Sequence, residues 1–367
     1  MKKRALTRHA VRGAVLFSGL LLASSGSAHE ELRQAPTLTP HIGDLESAAK
    51  AALERNAPTL IHIILEGEEH NDAYRDEILT DKELIKLSEA CVVIISNNGE
   101  HQQKIIKEKV DGVSRERSAC SSFPMFSNCD GHRKTWNPLY HEYQDESGEM
   151  GCPQTIVLSP SGEIDWRHNI RNPPATSEVA SALKAAQKKH GKSLTSEELR
   201  TVKAHAASGK KAEGSGEWAL AWTRYEAILE IISTGKWSAL AKPGQERASK
   251  AISEQLSALE KRFKPGEVAT PWRELVALAE ATEETPFKRE VLAFTKKIER
   301  DKALKEDIKV IKTEMEAEAL WDEADGLLRR GEERKAMKLL KKINGKKFNG
   351  TATQARIRER FPELNKE

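Results

Sequence analysis

Apolar residues in the first half of the chain fall in short unbroken runs. In the second half they recur at three- and four-residue spacing. TLIHIILE, which follows Pro58, and CVVIISNN at 91–98 have the length and β-branched content of buried strands. The stretch CPQTIVLSPSGEIDW at 152–166 reads as a strand near 153–159, a Ser-Gly turn, and an antiparallel partner near 163–168. Between these runs lie helical patterns: DLESAAKAALERN at 44–56 with Asp44 as N-cap, DKELIKLSEA at 81–90, and TSEVASALKAAQKKHG at 176–191. Residues 101–110 read as weakly helical, and 111–150 as a turn-rich insert without clear periodicity. The order α-β-α-β-α-insert-β-β-α predicts an α/β layer with a mixed sheet.

From about residue 193 the strand signal disappears. EWALAWTRYEAILEIIS at 217–233 places Trp222, Tyr225, Leu229 and Ile232 on one helical face. ALWDEADGLLRRGEERKAMKLLKKING at 319–345 reads as two amphipathic helices broken at Gly331. Leu320, Ala324 and Leu327 line the first; Ala336, Leu339, Leu340 and Ile343 line the second. Thr351 is placed to cap a further helix. The expected organisation is a signal peptide at 1–28, an α/β domain at 29–192 carrying the insert at about 111–150, and an all-α domain at 193–367.

The signal-peptide assignment changes what the charge means. Lys2, Lys3, Arg4, Arg8 and Arg12 precede a short apolar run, Gly13 to Ala23, and Gly26-Ser27-Ala28 supplies small residues for cleavage. The run is shorter than the ~20 apolar residues a spanning helix needs. The full chain of 367 residues carries a formal charge of +3; removing five basic and no acidic residues leaves −2. The mature chain therefore has no electrostatic footprint for nucleic acid. The expected product is exported, periplasmic or secreted, without an integral membrane segment, into a compartment where disulfides persist.

The first half, roughly residues 44 to 192, resembles the thioredoxin-fold family. CPQTIVLSPSGEI is similar to that family's cis-proline, here Pro153, followed by its last two strands. TLIHIILEGEEHNDAYRDEIL resembles the first strand and active-site helix of its exported members. On that resemblance the redox Cys-x-x-Cys falls at Glu68, Glu69, His70 and Asn71, so Glu68 and Asn71 stand where the two cysteines would be. No cysteine lies between residues 29 and 90. Glutamates suit a helix N-terminus electrostatically, but they carry no electron-exchanging sulfur. The helical half resembles tetratricopeptide-type repeats in pattern only, with no clean 34-residue period.

The four cysteines lie elsewhere, at 91, 120, 129 and 152. Cys91 opens a strand and reads as a small buried hydrophobe. Cys120 and Cys129 bracket SSFPMFSN inside the insert, where a disulfide is the first expectation for an exported chain. A metal centre is the alternative: Cys120 and Cys129 with His132 and His141, or with Cys152, would offer thiolate and imidazole ligands suited to zinc or copper. Glu68, Glu69, His70 and Asp72, adjacent on one turn, read as a solvated loop instead. Cys152 next to Pro153, with His70 nearby on the resemblance, is a candidate nucleophile–base pair; its plain alternative is a buried thiol filling a vacated pocket.

Two functions follow from these residues. The first is a non-catalytic binding or scaffold protein, whose helical half takes a protein or peptide partner and which needs no cofactor. The second is an atypical thiol-disulfide oxidoreductase, or a copper- or zinc-handling protein, using Cys120, Cys129 and Cys152. The fold hosts both kinds.

Overall fold

The structure, a computed structural model, describes residues 38–110, 113–168 and 172–366. The expected signal peptide and its cleavage site lie outside these residues. Helix α1 (Leu45–Arg55) starts where the Asp44 carboxylate accepts from the Ser47 amide at 2.8 Å, and it ends at Asn56, which takes a left-handed backbone (φ 53°). Strand β1 (Thr59–Ile64) follows, then α2 (Glu69–Thr80), α3 (Lys82–Ser88) and β2 (Val92–Asn97). Next come a hairpin of β3 (Gln103–Val110) and β4 (Val113–Cys120), and two short helices, α4 (Asp130–Arg133) and α5 (Trp136–Tyr143). The layer closes with β5 (Gln154–Leu158), β6 (Ile164–His168) and α6 (Thr176–His190).

Four strands make one mixed sheet in the order β2-β1-β5-β6, with β1 parallel to β2, and β5 antiparallel to both β1 and β6. Every residue of β1 and β2 is buried. The strands are covered on both faces, which is why they read as continuous apolar runs and not as alternating ones. Leu60, Ile64, Val93 and Ile95 meet Tyr74, Ile78, Leu84, Val179 and Leu183 on one face. On the other, Ile61, Ile63, Val92 and Ile94 meet Ala48, Ala52, Leu139 and Tyr143. The peptide Cys152–Pro153 is cis.

Two expectations for the insert need correction. Residues 103–110 are a strand and not a weak helix, and 113–120, expected as turn, pairs with them across eight residue pairs. QKIIKEKV carries lysine and glutamate at helix-compatible spacing, but cross-strand partners decide the matter: Lys107 faces Glu116, and the Arg117 guanidinium meets the Glu108 carboxylate at 2.7 Å.

The helical region begins with α7 (Ser196–Ser215) and continues through α8 (Trp218–Ile231), α9 (Gly235–Arg262), α10 (Ala269–Ala281) and α11 (Lys288–Arg300). It ends in α12 (Lys305–Arg329), α13 (Glu333–Ile343) and α14 (Ala352–Arg360). Gly331, at φ 75°, makes the break between α12 and α13. Thr351 caps α14 by accepting from the Gln354 amide. In the α7–α9 core, Gly244 lies under the Tyr225 ring, so closely that a Cβ there would fall 2.5 Å from a ring carbon. Among the described residues no helix is long and apolar enough to cross a membrane.

The end of α1 is where the two regions meet. The Arg55 guanidinium donates to the carbonyls of Leu194, Cys91 and Glu89 at 3.0, 3.1 and 2.9 Å. The Asn56 amide donates to the carbonyls of His190 and Lys192, and Trp237 Nε1 donates to the Glu54 carbonyl at 2.7 Å. Arg55→Ala leaves three carbonyls without this donor, two of them in part-buried hydrogen bonds. The expected cost is about 2–4 kcal/mol in urea unfolding. A loss below about 0.5 kcal/mol would show that water replaces the guanidinium there.

Candidate metal centre

Helix α2 begins at the turn where a redox pair would have been expected. Glu68 is its N-cap residue, and the buried Asn71 accepts from the Leu65 amide and donates to the Glu68 carboxylate at 2.8 Å. His70 is exposed, with its Nε2 3.4 Å from Glu68. Cys152 is buried among Leu139, Tyr143 and Ile156. Burial pushes its thiol up to about 12, and the Glu68 carboxylate adds to the effect. That is the opposite of an activated nucleophile, which needs its thiolate stabilised. Cys91 is also buried, against Leu87 and Gln187, with its thiol pushed up to about 11 by burial.

The chemistry-bearing group forms beside the hairpin. Asn97, buried at the end of β2, donates to the Ile64 carbonyl and accepts from the Gly99 amide. These bonds turn the chain toward His101. The hairpin register pairs Gln103 with Cys120, and the Ser121 amide donates to the Gln102 carbonyl. His101 and Cys120 are thereby held side by side although they lie nineteen positions apart in the chain. The loop after Cys120 folds back through the Cys120 amide, which donates to the Phe126 carbonyl, and α4 then brings Cys129 and His132 to the same point.

The result is a cluster of four: His101, Cys120, Cys129 and His132, with one ligating atom from each, all within 4.8 Å of one another. The two sulfurs are 3.9 Å apart and both are free thiols, so the expected disulfide is not formed in this structure. His101 Nδ1 is 3.4 Å from the Cys120 sulfur and 3.7 Å from that of Cys129; His132 Nε2 is 3.7 Å from Cys120. A tetrahedron built on ordinary zinc–sulfur and zinc–nitrogen bond lengths has S–S and S–N edges of about 3.8 and 3.6 Å. Of the two expected histidines, His132 is here, whereas His141 is exposed on α5 and takes no part. His101, which the sequence did not suggest, takes that place.

The remaining nitrogen of each ring is anchored. His132 Nδ1 lies 3.1 Å from the Asn97 carbonyl oxygen, so it must carry the proton, and Nε2 keeps its lone pair toward the sulfur. His101 Nε2 lies 2.9 Å from a Glu66 carboxylate oxygen, which likewise leaves Nδ1 free to bind. Glu66 is itself placed by its amide, which donates to Asn98 Oδ1. Gly99 permits this approach, because a Cβ there would fall 2.6 Å from the Glu66 side chain. Such anchoring through a carboxylate and a carbonyl is characteristic of metal-binding histidines.

Cys120 and His132 are both 0 % exposed, and His132 packs against Phe123 and Phe126 with ring centroids at 4.8 and 5.7 Å. Burial holds the imidazole neutral, its pKa pulled down to about 4. Burial raises the Cys120 thiol, opposed by the backbone amides of Phe123 and Ser122. The His101 amide donates to the Cys129 sulfur at 3.1 Å. These amides point partial positive charge at sulfurs that become thiolates once a cation is bound.

A second feature lies in the helical region. A cavity of about 490 Å³ is lined by Trp218, Leu220, Leu259 and Leu278 and by the ion pair of Arg262 with Glu274. It is apolar and brings no nucleophile or ligand set together among those residues. Comparison with protein-family models and with curated proteins found no match to the chain.

Proposed function

We propose that this is an exported, non-catalytic binding protein with a thioredoxin-like domain, in which a zinc ion held by His101, Cys120, Cys129 and His132 does the structural work of the insert. The carrying observation is the convergence of four ligating atoms within 4.8 Å of one another, with the S–S distance and three S–N distances at 3.4 to 3.9 Å, close to the edges of a tetrahedral zinc site. The strand order β2-β1-β5-β6, and the position of the Glu68 turn close enough to raise the Cys152 thiol, support the thioredoxin-like reading.

Four protein ligands leave no open position for substrate water, which is the pattern of a structural and not a catalytic zinc site. Charge favours a divalent ion over Cu(I). Two thiolates and a dication bury a neutral complex, whereas Cu(I) would leave a net negative charge in a largely dry site. The helical half, joined to this domain through Arg55 and Trp237, is then the part that takes a protein or peptide partner.

Elemental analysis of protein purified without added metal tests the reading. The expected result is one zinc per chain, retained through dialysis. Copper in place of zinc would make this a copper-handling site, and no bound metal together with a Cys120–Cys129 bridge would make it a structural disulfide. Glu66→Ala should lower zinc affinity by roughly 10–100-fold in a chelator competition while leaving the stoichiometry at one. An unchanged affinity would mean that Glu66 only neutralises the surface around His101.

A further inference from the structure

We propose that the centre is redox-gated: a small disulfide converts Cys129 and Cys120 into a bridge and expels the zinc. This rests on the zinc reading above. Both sulfurs belong to the ligand set, and they already lie 3.9 Å apart. Closing to a bond of about 2.05 Å needs about 2 Å of combined movement, which rotation of the two side chains can supply. The two cysteines differ in access. Cys129 is partly exposed, whereas Cys120 is fully buried. That difference sets the order of events.

The Cys129 thiolate attacks one sulfur of a low-molecular-weight disulfide RSSR. A Cys129–S–S–R bond forms, the S–S bond of RSSR breaks, and one RS⁻ leaves. The Cys120 thiolate then attacks the Cys129 sulfur, forming the internal bridge and releasing the second RS⁻. Two protein thiolates have been oxidised by two electrons and RSSR has been reduced to two RS⁻. The bridge sulfurs are no longer anionic donors. The ion, left with His101 and His132 only, departs as the dication, so charge is conserved.

Neither Cys91 nor Cys152 can substitute in this sequence. Both are buried, and neither belongs to the cluster. The disulfide and the metal are thus two states of one pair of sulfurs, and the compartment's thiol–disulfide balance selects between them.

The test uses the full-length mature protein with oxidised glutathione as probe. Zinc release is followed with a chromogenic chelator, and cysteine pairing by peptide mass spectrometry. Metal-loaded protein should release one zinc and two glutathione thiols per chain, ending in a Cys120–Cys129 bridge. Metal-free protein should reach the same bridge at least 10-fold faster. Cys120→Ser should stop at a stable Cys129–glutathione mixed disulfide, and Cys129→Ser should react at neither position. Should Cys120→Ser fail to fold, acid quenching of the wild type at early times should trap the glutathione mixed disulfide at Cys129 and not at Cys120.

A bridge or mixed disulfide at Cys91 or Cys152, or equal rates with and without zinc, would overturn the proposal. Zinc binding is measured separately by equilibrium dialysis. A protein that binds zinc but does not form the bridge refutes the gating alone, whereas one that binds no zinc refutes the metal reading beneath it.

Discussion

His132→Ala should cut the effect of a chelator on stability to about a third or less of its wild-type size. With zinc a thousandfold above its dissociation constant, metal binding contributes about 4 kcal/mol to the wild type, and EDTA should remove it. Dividing the ~10–16 kcal/mol of a structural zinc site over four ligands gives roughly 2.5–4 kcal/mol each. Loss of one imidazole then weakens binding by about 10²–10³-fold. The variant also loses the packing of a fully buried ring on Phe123 and Phe126, so it should start less stable even without metal. The comparison that decides is the EDTA response: about 4 kcal/mol in the wild type, about 0.4–1.4 kcal/mol in His132→Ala at the same zinc concentration, and largely restored in His132→Cys, which offers a replacement ligand. A wild type indifferent to EDTA would remove the metal from the account.

Acidification should weaken the fold steeply through His62. This residue sits in the middle of β1, fully buried; its Nδ1 lies 3.2 Å from the Thr155 hydroxyl and 3.3 Å from that of Tyr74, and its Nε2 has no hydrogen-bond partner. Burial pulls its pKa down from 6.5 to about 3. The unfolded chain therefore binds a proton below pH 6.5 that the folded chain refuses until near pH 3. Stability attributable to this residue is intact above pH 6.5 and is lost as pH falls toward 3. From pH 7 to pH 4 that loss amounts to about 3 kcal/mol. Carboxylates add their own acid dependence, so the informative quantity is the difference between wild type and His62→Gln. Urea midpoints converted to free energies should show the variant losing about 3 kcal/mol less over that interval. Parallel curves for the two proteins would mean that His62 is protonated and solvated in the fold.

The sheet was readable because its strands are buried on both faces. TLIHII and VVIISN have no competing helical pattern, and the Ser-Gly turn marks the β5–β6 hairpin. Cys120, Cys129 and His132 could be suspected together because they are near in sequence. His101 could not be, since its place in the cluster depends on the β3–β4 register, and both strands are written in charged residues whose spacing also fits a helix. The four-residue helix carrying His132 is too short to leave a periodic signature. Cys152 illustrates the opposite case. Its neighbour Pro153 drew it into an active-site reading, yet what decides its reactivity is packing against Leu139 and Tyr143, side chains that lie at least nine residues away along the chain.

The segment from Gly191 to Thr195 looks like a place to cut the chain, but it is not a hinge. Leu194 is fully buried, its amide donates to the Arg55 carbonyl, and its own carbonyl receives the Arg55 guanidinium. A short stretch clasped in this way resists a protease, which must pull several residues into extended form before cleaving. Trypsin should therefore nick exposed loops well before it reaches Lys192. A gene fragment starting at residue 193 would carry Trp237 into solvent, where the loss of Glu54 leaves a sticky apolar face. Expressed alone, the helical half should be prone to self-association.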